Sequence, residues 1–314
     1  MTFQEHLDGG QVLLTEGAVI ERLRRTATVR LDPHVLHASL IYEPTGRAAL
    51  EQIYRSYLDV GQEFNLPMIV SPPTWRANPE RLTAAGFAPE RDVNGDACRF
   101  LDALRATYGT YGEQVYIGGL MGCRGDAYDP RAALSRGAAA EFHRTQAKAL
   151  AAAGVDFLMA ATLPALSEAV GIAETLAANG LPYVISVVVR PMGTLLDGTP
   201  LVEFVTRIDG EISPAPSAYL VNCTHPTNFR EALRTNQERM PAVHQRVIGL
   251  QANTSQLSPE ELEGSAELHP AAPMDFAEEL HALRCEFGMR ILGGCCGTDA
   301  RHIRALAARL IRKT

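Results

Sequence analysis

The sequence lacks several features that mark large classes of protein. Lysine occurs only twice, at Lys148 and Lys313, in 314 residues whose formal net charge is −7. Because no basic cluster stands out, we expect no nucleic-acid partner. No apolar run approaches the ~20 residues that a membrane-spanning helix needs, so no membrane partner is expected. Residues 1–6 have neither a basic start nor an apolar core, which predicts no signal peptide and a cytoplasmic location.

Motifs for nucleotide binding and for triad catalysis are also missing. The sequence contains no P-loop, and no Gly-x-Gly-x-x-Gly motif opens a helix. The nine histidines are dispersed, with no pairing that suggests a catalytic triad. These absences exclude the commonest signatures of phosphate-binding loops and of nucleophilic hydrolysis.

The pattern of apolar runs predicts an α/β fold. With 46% hydrophobic and 21% charged residues, the composition is that of an ordinary globular protein. Apolar runs alternate with amphipathic stretches, the pattern of a parallel sheet. The eight strand candidates are residues 11–14, 67–70, 115–119, 156–160, 182–189, 217–221, 246–250 and 289–292. The helix candidates are residues 47–64, 81–85, 97–108, 131–153, 166–179, 200–208, 228–239, 275–287 and 299–311.

An open doubly wound sheet would give a similar string of elements. Eight units in ~300 residues favour a closed (β/α)8 TIM barrel, and no linker divides the chain, so we expect one domain over residues 1–314. Two longer stretches, 72–96 and 251–272, are expected to form elaborated loops, the first around the short helix at 81–85.

Six cysteines are too few for a disulfide scaffold in a chain of this size. Cys98, Cys123 and Cys285 lie in unlike contexts, and we expect them to be buried and inert. The other three follow strand candidates. Cys223 comes after the sixth strand, and Cys295 and Cys296 come after the eighth, between Gly294 and Gly297.

These three cysteines predict a metal site. Neighbouring side chains of a strand point to opposite faces, but the flanking glycines permit backbone angles that turn both sulfurs toward one point. The carboxyl ends of all barrel strands meet on one face. Three thiolates suit Zn²⁺, and an open fourth position is typical of catalytic zinc. Alternatives are a structural zinc, a strained vicinal disulfide, simple buried cysteines, and His225 as a fourth ligand.

The segments that contain these cysteines also resemble those of a known protein family. The segments 222–224 (Asn-Cys-Thr) and 293–298 (Gly-Gly-Cys-Cys-Gly-Thr) together resemble the homocysteine S-methyltransferase family, and the similarity runs from about residue 12 to residue 310. The resemblance implies a zinc-dependent (β/α)8 barrel that methylates a thiol, with Cys223, Cys295 and Cys296 as the ligands. Homocysteine is the family's default acceptor. No corrinoid- or folate-binding module is recognisable, so the donor is expected to be a small molecule or to be presented by a separate protein.

Other positions depart from the family pattern. Residues 14–18 (Leu-Thr-Glu-Gly-Ala) keep one glycine of the family's Asp-Gly-Gly turn. The acidic residue of this segment, Glu16, stands one place away from the position of the family's aspartate. Ala161 stands where family members carry a glutamate that resembles an anchor for the amino group of homocysteine. The residues expected to bind substrate are Glu16, Gly17, Thr162 and Asn222. An ammonium group in a closed pocket needs a carboxylate or several acceptors to offset its desolvation. Unless Glu16 takes over this role, we expect the acceptor thiol to differ from homocysteine or homocysteine to bind differently.

Two further functional hypotheses remain open from the sequence. The same zinc site would serve a demethylase that feeds a methyl group to another acceptor. A chain with altered pocket residues would also serve as a non-catalytic, zinc-bound homologue acting through protein contacts. A homo-oligomer is compatible with either.

Overall fold

Eight parallel strands close into a barrel. The computed structural model describes residues 1–235, 241–257 and 271–312. The strands are β1 Leu13–Thr15, β2 Met68–Val70, β3 Val115–Met121, β4 Phe157–Leu163, β5 Tyr183–Val187, β6 Ala218–Thr224, β7 Val247–Ala252 and β8 Ile291–Gly294. Each strand pairs with the next, and β1 also pairs in parallel with β8. The predicted (β/α)8 barrel is therefore confirmed, and the open sheet is excluded.

Helices surround the barrel. They are α1 Phe3–Asp8, α2 Ile20–Arg24, α3 Pro44–Phe64, α4 Pro79–Ala84, α5 Val93–Ala106, α6 Arg136–Ala152, α7 Leu166–Ala177, α8 Leu201–Glu211, α9 Pro226–Thr235, α10 Pro241–Arg246, α11 Pro273–Phe287 and α12 Ala300–Ile311. None of the helices in the described part of the chain is long and apolar enough to cross a membrane.

Local sequence signals set several of these boundaries. Helix α3 begins with a proline in its first turn and ends where Asn65 adopts a left-handed φ of 50°. Helix α11 ends at Gly288, whose φ is 71°. At the start of α12, the Asp299 carboxylate accepts a hydrogen bond from the Arg301 backbone, which places this helix directly after the cysteine pair.

The hydrophobic core has two layers. One layer lies between the strands and the surrounding helices, and the other fills the barrel interior, where Phe157, Met159 and Ala161 of β4 contribute alternate side chains. Helix α1 closes the amino-terminal end of the barrel. Its Phe3 ring stacks on Phe157 with ring centroids 3.8 Å apart, and Phe3 also belongs to the interior layer. The carboxyl-terminal end of the strands is therefore the end of the barrel where a functional site is expected.

The ends of β4 and β6 differ from the prediction. Both strands run about three residues beyond the predicted 156–160 and 217–221, because each contains an irregular register near its carboxyl end. Thr162 (φ 60°) and Cys223 (φ 54°) adopt left-handed conformations there. Cys223 therefore lies within β6, and the prediction that it follows the strand was wrong. Bulges of this kind redirect side chains at barrel rims.

Some predicted loops and helices also need correction. The stretch 72–96 contains all of α4 and the start of α5, because Asn78 and Asp92 cap helices there with their side chains. The helix predicted at 131–153 begins at Arg136, after a short 3₁₀ turn at Pro130–Ala132. The helix predicted at 228–239 is described to Thr235, and residues 236–239 and 258–270 of the predicted elements lie outside the described residues.

The contact of α1 with the barrel gives a test of the fold. Replacing Phe3 by alanine empties a site that is 1% exposed, so we expect Phe3→Ala to lower the free energy of unfolding by about 3–5 kcal/mol. Urea denaturation measures this change. Truncating Met274, which is 50% exposed, should change the free energy of unfolding by less than about 0.5 kcal/mol. A cost below about 1 kcal/mol for Phe3→Ala would show that α1 does not contribute to the barrel core.

Candidate metal centre

The structure brings the three predicted cysteines together at the carboxyl ends of β6 and β8. The Sγ atoms of Cys223 and Cys295 lie 2.8 Å apart, and those of Cys295 and Cys296 lie 4.0 Å apart. All three sulfurs lie within 4.8 Å of one another. Two zinc–sulfur bonds of about 2.3 Å span up to about 4.6 Å, so the cluster has the size of a single metal site.

A strained backbone places Cys223. A non-glycine residue with a left-handed φ costs about 1 kcal/mol or more, and such residues concentrate at functional sites. Here the strain accompanies the register shift between Asn222 and Thr224 in the pairing with β7. The bulge turns the Cys223 side chain out of the strand's alternation and toward the sulfurs that follow β8.

Close packing, more than backbone freedom, explains the glycines before the cysteine pair. A Cβ at Gly294 would lie 2.2 Å from Oγ1 of Thr298, and one at Gly293 would lie 2.0 Å from Oγ1 of Thr15. Neither has a left-handed φ, whereas Gly297 does, at 83°. The predicted reason therefore holds for Gly297 alone. Thr298 Oγ1 donates to the Cys295 carbonyl at 2.7 Å, which fixes the turn.

Asn253, at the end of β7, joins the two cysteine segments. Its Nδ2 donates to the Cys223 carbonyl at 3.0 Å, and its Oδ1 accepts from the Cys296 backbone amide at 3.1 Å. The Thr254 amide donates to the Cys296 carbonyl at 3.1 Å. Because one side chain bonds to both segments, it fixes their separation. The end of β7 thus sets the distance between the Cys223 segment and the Cys295–Cys296 segment.

Asn222, which precedes Cys223 in β6, also fixes the position of the Cys223 segment through hydrogen bonds. Its Oδ1 accepts from the Thr162 amide at 3.0 Å and from Ser186 Oγ at 2.7 Å. Its Nδ2 donates to Thr162 Oγ1 at 2.6 Å and to Cys223 Sγ at 3.4 Å. Thr162 and Asn222, both predicted to bind substrate, are therefore buried and bonded to each other. In this structure they orient Cys223 and tie the ends of β4, β5 and β6 together.

Tyr128 is a contact of the cluster that the sequence did not indicate. It lies on the loop between β3 and α6. Its ring packs against the small apolar cluster of Val188, Leu196 and Cys223. Residues 120–130 lie between a predicted strand and a predicted helix, and they carry no signal that selects one tyrosine.

The pKa values of the three clustered cysteines shift in different directions. The pKa of Cys223 lies well below its usual range, because hydrogen bonds from Cys295, Cys296, Tyr128 and Asn222 stabilise its thiolate. Once Cys223 is charged, the pKa of Cys295 is raised well above its usual range, and that of Cys296 to about 12, chiefly through their hydrogen bonds to Cys223. The cluster as a whole titrates as one system. Three thiolates at these separations would need a cation to offset their mutual repulsion.

The structure bears on two of the alternatives to an open metal site, the vicinal disulfide and His225 as a fourth ligand. All six cysteines are free thiols, which excludes the vicinal disulfide in this structure. His225 is not a member of the metal-binding group found among the described residues, and its Nδ1 accepts the Thr227 amide at 3.2 Å. Cys98 and Cys123 are buried as predicted, but Cys285 is exposed on α11, where the prediction of burial was wrong.

Glu16 and Gly17 lie at the end of β1, beside the turn that carries Cys295. Both Glu16 carboxylate oxygens lie 3.1 Å from the Ser71 amide that donates to them. Burial raises the pKa of Glu16 to about 8, against the opposing effect of Ser71. A Cβ at Gly17 would lie 2.7 Å from Thr298 Oγ1 and 2.9 Å from the Tyr57 hydroxyl, so the position admits only glycine without rearrangement.

The residue at position 161 is apolar and buried. Ala161 belongs to the barrel's interior layer and is 6% exposed. The indole Nε1 of Trp75 donates to the Ala161 carbonyl at 3.2 Å. Among the residues predicted to bind substrate, Glu16 is therefore the one that carries an ionisable group, and it is buried.

Comparison with known proteins agrees with this architecture. The chain is 24% identical to betaine–homocysteine S-methyltransferase 1 of Mus musculus over 331 residues, covering 98% of this chain and 74% of that protein. It is 29% identical to homocysteine S-methyltransferase YbgG of Bacillus subtilis over 213 residues, covering 65% of this chain and 60% of that protein.

Solved structures show the same fold. The metallated form of the Escherichia coli homocysteine methyltransferase MmuM matches with a TM-score of 0.76 at 23% identity, covering 96% of this chain and 98% of that chain. Its oxidized form matches with a TM-score of 0.74 at 25% identity, covering 96% and 97%.

The family profile described as homocysteine S-methyltransferase matches residues 13–310, which is nearly the whole chain and includes all eight strands and the three clustered cysteines. The chain belongs to the homocysteine S-methyltransferase family.

Proposed function

We propose that the chain is a zinc-dependent S-methyltransferase that transfers a methyl group from a small-molecule donor to a thiol, homocysteine being the family's usual acceptor. The observation that carries the proposal is the group of three sulfurs within 4.8 Å at the carboxyl ends of two barrel strands. Family membership supports methyl transfer. The sulfur-only donor set supports zinc, because thiolates favour zinc over harder cations such as Mg²⁺ and Ca²⁺.

The donor set also fits the chemistry. A free thiol with a pKa of about 8.5 is only a few per cent thiolate at neutral pH. Zinc held by Cys223, Cys295 and Cys296 would keep a substrate thiol deprotonated. Three thiolates exceed the charge of a divalent ion, so a sulfur nucleophile at this site stays electron-rich.

The remaining residues hold this arrangement in place. Asn222 and Asn253 fix the Cys223 segment from both sides, and Thr298 fixes the turn at Cys295. A pre-arranged site lowers the entropic cost of aligning a thiolate with an activated methyl group. Because the thiol is deprotonated at the site, the reaction needs no separate general base, in line with the dispersed histidines.

We propose in addition that the acceptor pocket differs from one built for homocysteine. Ala161 offers no carboxylate, and Trp75 covers its carbonyl. Glu16 is buried, and its carboxyl group accepts one hydrogen bond, shared between its two oxygens, from the Ser71 amide. An ammonium group leaving water for this pocket would find weak compensation. This arrangement favours a thiol that lacks the amino group of homocysteine.

The metal site predicts the zinc content of the purified, reduced protein. We expect about one zinc per chain, and we expect both Cys223→Ala and Cys295→Ala to lose the zinc, because two thiolates leave the ion under-coordinated. Atomic absorption measures zinc, and methylation of added thiols measures activity. Cys285→Ser, which changes an exposed cysteine on α11, serves as the control and should keep both. Full zinc retention in either ligand variant would show that the ligand set is wrong.

The pocket predicts the choice of acceptor. With 4-mercaptobutanoate, which is homocysteine without its amino group, we expect a kcat/KM within about threefold of that for homocysteine, since each factor of ten corresponds to about 1.4 kcal/mol. Ala161→Glu should raise the preference for homocysteine about tenfold by supplying a counter-charge, and Ala161→Gln, which matches its size without the charge, should not. A strong preference for homocysteine in the parent protein would contradict the proposed pocket.

A further inference from the structure

One peptide group shortly after β3 is held on both sides by buried charges. Arg76, which is 8% exposed, donates through Nη1 to the Cys123 carbonyl at 3.2 Å and also to the Gly125 carbonyl. Glu168 of α7 accepts a hydrogen bond at 2.8 Å from the Arg124 amide, which belongs to the same peptide group as the Cys123 carbonyl. Because the C=O and N–H of a trans peptide point in opposite directions, the two charges lie on opposite sides of the chain. We refer to Arg76 and Glu168 as the charge clamp.

The anion of the charge clamp also fixes the far end of the loop between β3 and α6, residues 124–134. Glu168 Oε2 accepts from the Leu134 amide at 3.2 Å, and Ser167 Oγ donates to the Leu134 carbonyl at 2.9 Å. His143 Nε2 of α6 lies 2.9 Å from Glu168 Oε1, and both side chains are fully buried. Burial alone would raise the pKa of Glu168, but the hydrogen bonds from His143 and the two amides hold that pKa below its usual value. One bonded, ionised carboxylate thus anchors loop 124–134 at both ends.

The cation of the charge clamp fixes Trp75. The Arg76 guanidinium lies over the Trp75 ring, 4.1 Å from its centroid. The indole Nε1 donates to the Ala161 carbonyl of β4, and a Cβ at Gly122, directly after β3, would lie 2.5 Å from the same nitrogen. The ring therefore lies against the carboxyl ends of two strands. Arginine suits this place because its planar guanidinium bonds to carbonyls and stacks on a ring at the same time.

The two segments that the charge clamp holds both belong to the sulfur-bearing face of the barrel. Tyr128 of loop 124–134 packs, together with Cys295, against the apolar cluster that contains Cys223. Trp75 covers the carbonyl of Ala161 at the same end of the barrel. One pair of buried charges therefore fixes two aromatic rings at the rim where the proposed acceptor site lies.

We propose that the two residues of the charge clamp are positioning residues of the acceptor site, because they hold Trp75 and loop 124–134 in place as its walls before a thiol binds. The inference rests on the proposed function, since a thiol must occupy the site for its walls to matter. A wall that is fixed in advance removes the cost of ordering it when the thiol binds. The metal ligands are held separately, because Asn222 and Asn253 fix the Cys223 segment through contacts that do not involve the charge clamp.

The cation of the charge clamp can be tested by fluorescence, because Trp75 is the single tryptophan of the chain. In Arg76→Lys the charge remains, but an ammonium group lacks the planar fork that stacks on the ring. We expect the emission to move to longer wavelength and quenching by acrylamide to increase. Arg246→Lys is the matched control and should leave the emission unchanged. Arg246 also bonds to two backbone carbonyls and lies over the Tyr219 ring, but it precedes β7 at the amino-terminal end of the barrel.

Glu168→Gln tests the anion. The amide keeps the shape of the carboxylate, but it removes the charge and turns one acceptor into a donor that faces N–H groups, so loop 124–134 should open more often. We expect trypsin to cleave after Arg131, whose side chain is 89% exposed, about tenfold faster than in the parent protein, which corresponds to about 1.4 kcal/mol. Glu174→Gln is the matched control, since Glu174 lies on the same helix and pairs with Arg136 at the surface. It should leave the cleavage rate unchanged.

Thiol binding distinguishes a positioning role from a purely structural one. Calorimetric titration of the zinc-loaded proteins with homocysteine and with 4-mercaptobutanoate measures the affinity. We expect Arg76→Lys and Glu168→Gln to bind both thiols about tenfold more weakly than the parent protein, while each keeps about one zinc per chain. If the charge clamp only stabilised the fold, the folded variants would bind thiols as tightly as the parent, and only the free energy of unfolding would fall.

The outcomes separate the inference from the proposed function. If the parent protein binds no zinc, or binds zinc but neither thiol, the proposed function fails and the role of the charge clamp in the acceptor site fails with it. If the parent binds both but the two variants keep its thiol affinity, only the positioning role is overturned. If Glu168→Gln fails to fold, the emission and thiol affinity of Arg76→Lys still decide, since that variant keeps the carboxylate and its three hydrogen bonds.

Discussion

The structure depends on the constraint that the sulfur of Cys223 must meet those of the adjacent Cys295 and Cys296, 72 and 73 residues farther along the chain. Cys223 lies in β6 and Cys295 directly follows β8, one strand farther around the barrel across β7, and their Sγ atoms lie 2.8 Å apart. Sulfurs at this distance cannot all be thiolates without a cation, because each charge raises the pKa of the next thiol. The backbone strain at Cys223 and the close packing at Gly293 and Gly294 are local consequences of that requirement.

Much of the architecture could be predicted from the sequence because burial governs it. Barrel strands are buried on both faces and read as apolar runs, so all eight were found. The ends of β4 and β6 were misjudged because bulges at Thr162 and Cys223 continue the strands through polar residues. The meeting of the three cysteines followed from topology alone. The exposure of Cys285 was missed because an isolated cysteine carries no periodic signal of its burial.

The supporting contacts could not be predicted in the same way. Glu168 of α7 accepts hydrogen bonds from the Arg124 amide, 44 positions away, and from the Leu134 amide, 34 positions away, and the Tyr128 ring packs from a loop against the cluster that contains Cys223. Such contacts depend on how the barrel loops fold over the strand ends, which no periodicity encodes. They nevertheless determine the chemistry, because a ligand is effective only when its orientation is fixed. The hydrogen bond from the Trp75 indole to the Ala161 carbonyl is a contact of the same kind.

The central claim is that Cys223, Cys295 and Cys296 together hold one zinc and leave one position for a thiol. X-ray absorption at the zinc edge of the reduced, zinc-loaded protein tests this most directly. We expect three sulfur neighbours at about 2.3 Å with one lighter atom, and four sulfur neighbours after a thiol acceptor is added. A shell of nitrogen and oxygen only, or four sulfurs before any thiol is added, would contradict it.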